Sequence, residues 1–165
     1  MDVQTAKKIQ TSCLEQMKKG GMEPIERVDC FAEFETAIPS VELVKDFCDV
    51  WASDCDTDMV VVEHKNPVRV AVGLEKSCPD DKDIKILDVG AGTGTGGISL
   101  AELGFNNVDA TDGSPQMLDI AKKLGVHKNI LPAEVLVKGQ RMLTVPAESH
   151  DVVVSSGRFC PCHVC

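Results

Sequence analysis

Between Asp88 and Gly97 the chain reads DVGAGTGTGG, with glycine at 90, 92, 94, 96 and 97. Alternate glycines after a short β-rich run let a backbone turn sharply and approach a ligand with no Cβ in the way. A helix that starts there points its free N–H groups at the same ligand. Gly90, Ala91, Gly92 and Gly94 are therefore candidate cofactor-binding residues. Asp112, about 20 residues beyond the loop, ends the next strand-like run, where a carboxylate can accept from both hydroxyls of a ribose. Asp112 and Gly113 also form a common turn pair, which is the alternative reading. Met117, one turn into the following helix, could cover a face of adenine or fill the core.

The run GTGTGG at 92–97 satisfies the dinucleotide fingerprint G-x-G-x-x-G, so an NAD-binding domain is one reading. Asp88 argues for another. An anion two residues before the first glycine would repel a pyrophosphate but suits the cationic amino and sulfonium groups of S-adenosyl-L-methionine. The long segment before the first strand points the same way, since dinucleotide domains often start near that strand.

These residues must be positioned by alternating strands and helices. Residues 84–89, 107–111, 130–137 and 151–155 read as strands, the last an apolar, β-branched run of the kind buried on both faces. Helices are expected at 98–103, closed by Gly104, and at 114–124, with Ser114 as N-cap, Pro115 in the first turn and Gly125 as the stop. Strand alternating with helix implies an α/β, doubly wound parallel sheet. Residues 1–80 form an N-terminal helical segment and lid, and 81–165 the partial core. Within the first part, 1–20 read as a polar helix ended by Gly20 and Gly21, and 21–40 as a connector. A helix follows Ser40, and another spans 56–74, with Pro67 bending or breaking it.

The chain has 165 residues, 43% of them hydrophobic, enough for a real core. A net charge of -9 and a pI near 4.8 disfavour nucleic-acid binding. No stretch approaches the roughly 18 apolar residues of a membrane span, and the N-terminus lacks a secretory signal. Eight irregularly spaced cysteines predict free thiols, hence a cytoplasmic chain with the nucleus left open. Cys160, Cys162, His163 and Cys165 could supply a zinc site in composition, but the spacing is too tight for the usual pairs and no metal is expected.

The motifs DVGAGTG at 88–94 and VDATDGSPQML at 108–118, with FCDVWASDCDTD at 47–58 and DVVVSSG at 151–157, resemble those of class I (Rossmann-like) S-adenosylmethionine-dependent methyltransferases. The resemblance implies methyl transfer from S-adenosyl-L-methionine to a small-molecule or protein acceptor. It also implies further contacts: Ala133 and Glu134 at the adenine edge, Ser155 and Ser156 beneath the methionine portion, and Trp51 in a segment folded over the cofactor. Against the family pattern, Cys48 and Cys55 replace tyrosines and His64 and His150 replace aromatics, which would weaken the lid; the chain has no tyrosine. The family sheet has seven strands. The expectation here is a truncated sheet ordered 3-2-1-4, without strands 5–7, whose open fourth strand invites self-association or a non-catalytic, partner-binding role. No catalytic residue is identified; His163 is the nearest candidate for a base.

Overall fold

The computed structural model describes residues 3–36, 40–135, 142 and 144–156. The Cys/His tail with His163, and the end of the expected third strand, lie outside the described residues.

Four parallel strands form one sheet in the order β3-β2-β1-β4, as the sequence predicts. They are β1 (Ile86–Val89), β2 (Val108–Thr111), β3 (Asn129–Ile130) and β4 (Val152–Val154). Every residue of β1 and β2 is buried, as the two central strands require when both faces are covered. Register sets Asp88 opposite Ala110 and Val89 opposite Thr111, so the ends of both strands reach the same level. β4 departs from the expected doubly buried strand: Val153 is 63% exposed, because among the described residues only β1 flanks it and this face is uncovered.

Seven helices complete the described chain: α1 (Val3–Lys19), α2 (Pro24–Thr36), α3 (Val41–Trp51), α4 (Cys55–Val61), α5 (Asn66–Ser77), α6 (Thr95–Glu102) and α7 (Pro115–Leu124). Helix α2 stands where a connector was expected. Pro24 is tolerated in its first turn, and Glu26 reaches back to accept from the N–H of Glu23 at 2.8 Å, half of a capping box. Arg27, Cys30, Phe31 and Phe34 then share one face at helical spacing. The expected helix over 56–74 is two helices, since Pro67 starts α5 rather than interrupting a longer one. Ser40 caps α3 and Ser114 caps α7 through their hydroxyls, and Gly125 ends α7 in the left-handed region.

Two apolar clusters result. One gathers Cys13, Phe34, Phe47 and Trp51 from α1–α3 and receives Met117 from α7. The other packs Ala71 and Leu74 of α5, Leu100 of α6 and Phe105 against Ile86, Val108 and Val154 of the sheet. Helix α3 lies against α7, and α5 against α6. The helical layer thus meets the sheet at the loops that leave β1 and β2. Among the described residues no helix is long and apolar enough to cross a membrane.

Candidate functional site: the glycine loop and its helical cover

The loop after β1 is tied to the end of β2. The N–H groups of Gly90 and Ala91 donate to the Thr111 carbonyl at 2.8 and 3.1 Å, and Gly92 N–H donates to Asp112 Oδ2 at 2.9 Å. Asp112 Oδ1 accepts from Ser114 N–H at 2.9 Å. Two backbone bonds therefore fix this buried carboxylate between the loop and the start of α7.

Two late glycines of the run make room for side chains, and Gly96 also lines the cavity beside the loop. A Cβ at Gly96 would lie 2.8 Å from Asp88 Oδ2, and one at Gly97 2.4 Å from His127 Nε2. Gly94 has φ +100° and lies against Ala121 of α7, where a Cβ would be both strained and crowded. The final glycine of the dinucleotide fingerprint thus accommodates His127, and at least three loop donors are committed to protein acceptors.

One cavity opens between this loop and the helical layer. Asp88, Gly90, Ala91, Gly92, Met117 and Trp51, all singled out in the sequence, line it. Thr93, Asp56, Phe31, Met59, His64, Pro67, Cys48, Cys55 and Ser156 line it as well. Among the described residues no lysine or arginine lines it. Asp88 Oδ2 and the hydroxyls of Ser155 and Ser156 are buried with no hydrogen bond among the described residues, and the buried His127 ring stands 3.6 Å from Asp88 Oδ2. Buried polar atoms of this kind normally have partners. Asp88 and Ser156 line the cavity, whose wall thus offers a carboxylate and a hydroxyl.

The remaining sequence-predicted residues lie around the cavity rather than in its wall. Asp112 is buried behind the loop, and Gly113 packs near Val135, whose Cγ2 would lie 2.9 Å from an added Cβ. Glu134 donates its N–H to the Asp112 carbonyl at 3.0 Å, while its carboxylate accepts from Thr144 N–H at 2.9 Å. Ala133 is exposed and borders a separate groove with Pro115 and Leu118. Ser155 sits one residue from the wall, where Ser156 takes its place.

Two carboxylates of the helical layer grip the core. Thr93 Oγ1 donates to Asp56 Oδ1 at 2.5 Å, and Ser114 Oγ donates to Asp49 Oδ1. Burial alone would raise Asp49, but hydrogen bonds from Lys45 and Ser114 outweigh it and hold the group below its ordinary range. His64, exposed as a residue although its ring borders the cavity, is pushed down by burial of the ring and then by Arg69. Asp49 and Asp56 escaped the sequence reading because nothing local marks their partners, 65 and 37 residues away. The proximity of Asp56 to Trp51 in the 47–58 motif was the one available signal.

A parallel 3-2-1-4 sheet, with a glycine loop after its first strand and a carboxylate after its second, is a Rossmann-like fold. Residues 86–164 match the family model of the methyltransferase domain, a match that together with this fold supports a class I methyltransferase. Among curated proteins it is similar to methyltransferase-like protein 27 of Homo sapiens, 33% identical over 122 residues, which are 73% of this chain and 48% of the relative. The chain therefore spans about half the length of this relative. No solved structure matches it.

Proposed function

We propose that the chain binds S-adenosyl-L-methionine in the cavity beside the glycine loop and serves methyl transfer to a small-molecule or protein acceptor in the cytoplasm. The observation that carries this reading is the cavity wall: Asp88 and Asp56 beside Trp51, Phe31 and Met117, with no lysine or arginine among the described lining residues, while His127 stands 3.6 Å behind Asp88 Oδ2. Such a wall attracts a sulfonium and an ammonium group and repels a pyrophosphate.

When bound, S-adenosyl-L-methionine supplies an already activated methyl group. What remains for the protein is binding, alignment and exclusion of water. Asp112, held behind the loop by two backbone donors, fixes the Gly92 turn against which the guest lies. Met117 offers an apolar face to the base, Ser156 a free hydroxyl, and Trp51 with Phe31 closes the cavity from the helical side. His64 borders the cavity as an imidazole biased towards its neutral form, able to take a proton from an acceptor. The acidic surface favours acceptors other than nucleic acid.

Calorimetric titration of the 165-residue chain with S-adenosylhomocysteine, beside an Asp112→Ala variant, tests the reading. Saturable binding by the chain, lost in the variant while NAD stays silent in both, is the expected result. Binding of NAD in place of S-adenosylhomocysteine would assign the loop to a dinucleotide. A folded chain that binds neither would move the function to a non-catalytic role.

A further inference from the structure

Behind Trp51 lies an ionic centre that takes no part in the cavity wall. Asp58 of α4 is 0% exposed, a burial that a carboxylate tolerates only when its charge is compensated. Arg27 of α2 provides the compensation as a fork, Nε to Oδ2 at 2.7 Å and Nη2 to Oδ1 at 2.6 Å. Asp58 in turn raises the affinity of Arg27 for its proton. A third donor completes the set: Trp51 Nε1–H reaches Asp58 Oδ2 at 2.7 Å. Arg27 Nη1 is anchored as well, on the carbonyl of Met22.

An indole N–H is a donor only, and in a buried ring it requires an acceptor. Among the described residues the Trp51 ring meets the Phe31 ring at 4.7 Å and the Phe47 ring, edge-on, at 5.9 Å, within the apolar cluster. Such contacts attract a ring without choosing between its two flips about χ2. The bond to Asp58 does choose. Stability alone does not call for an ion pair here, since apolar side chains of similar volume often serve as well or better. A buried Arg–Asp fork aimed at one indole is explained by the orientation it imposes.

We propose that Arg27 and Asp58 are positioning residues for Trp51: together they hold the indole in the orientation in which it walls the cofactor cavity, without touching the guest. The inference rests on the reading of that cavity as the S-adenosylmethionine site. Trp51 is the only tryptophan in the chain, so its fluorescence reports this position alone.

The decisive variant is the double substitution Arg27→Met with Asp58→Leu, which removes both charges and leaves neither unpaired. Its unfolding midpoint should stay near that of the native chain. Its emission should shift to the red with greater access to acrylamide, and S-adenosylhomocysteine affinity should fall about tenfold, ~1.4 kcal/mol. In a Trp51→Phe background the same pair should alter affinity less than about twofold, because no indole N–H remains to be oriented. Equal losses in the two backgrounds, or native emission and affinity in the double variant, would overturn the proposal. Should the double variant fail to fold, Arg27→Lys, which keeps the charge and loses the fork, is read by the same two measurements. If the native chain does not bind S-adenosylhomocysteine, the cofactor reading fails separately, and emission with quencher access alone decides: an unchanged spectrum overturns the positioning role, and a red-shifted, quenchable one supports it.

Discussion

Asp58 in the helical layer and Asp109 in the sheet are both buried carboxylates, yet their neighbours arrive by different routes. Asp109 of β2 receives Asn129 Nδ2 at 2.6 Å from β3, His150 Nε2 at 3.1 Å from just before β4, and Lys85 Nζ at 3.6 Å from just before β1. Strand register delivers these groups: Asp109 pairs with Asn129 on one side and Leu87 on the other. Asp58 has no ladder to rely on. Its partners come from the ends of two other helices, one of them 31 residues away, and only their packing brings the three together. Where register does the positioning, a polar cluster follows from the fold. Where helices pack freely, a polar cluster must be satisfied in full, and it then dictates the packing.

The sharpest way to break this comparison is Asp58→Ala, which strands the Arg27 charge in the interior. A loss of about 3–5 kcal/mol is expected in urea denaturation. A loss below about 1 kcal/mol would mean that water reaches the pair. On the sheet side, Ile86→Ala empties a fully buried position of β1 and should cost about 2–5 kcal/mol. Its unfolding curves by Trp51 fluorescence and by circular dichroism should coincide, because Met117, the Asp49–Ser114 bond and the Asp56–Thr93 bond join the two regions. Separate transitions would show two independent units.

Ser114→Ala probes the joint itself. Its hydroxyl both caps α7 and donates to Asp49, so a loss of about 1 kcal/mol is expected. The smallest effect is acidic. Burial alone would raise Asp109, but hydrogen bonds from Asn129 and His150 outweigh it and hold the group below its ordinary range, as Lys45 and Ser114 do for Asp49. For groups whose folded-state pKa is depressed, the stabilisation is present above the unfolded value and is lost as pH falls through the folded one. The melting temperature should therefore decline on acidification below the ordinary carboxylate range, and Asp109→Asn should flatten that decline. An unchanged slope in the variant would remove Asp109 from the account.

Legibility divided along the same line as the two carboxylates. The strands beginning at Ile86 and Val108, the caps at Ser40 and Ser114 and the stop at Gly125 were readable, since each depends on neighbours within a few residues. Helix α2 was not. Its polar sequence becomes helical because Phe31 and Phe34 find Phe47 and Trp51, and the local pattern holds no trace of those partners. At the site, Asp88, Gly90, Ala91, Gly92, Met117 and Trp51 were all named from the sequence and share one cavity. Ala133 and Glu134, placed by resemblance, lie outside its wall. His150 stands where an aromatic was expected and contributes through its ring nitrogens instead, one on Asp109 and the other on Ser149.

By itself the sequence determined the alternation of strand and helix, the glycine turn after β1 and the carboxylate after β2, because periodicity, capping and glycine chemistry act over short stretches of chain. Only the tertiary structure decided which wall the helical layer presents to that loop. It brought Asp56 to Thr93 and Asp49 to Ser114, turned Gly97 into a seat for His127, and set Arg27 and Asp58 behind Trp51. Those pairings join groups distant in sequence, and their worth depends on exclusion from water, a condition that exists only once the layers have closed.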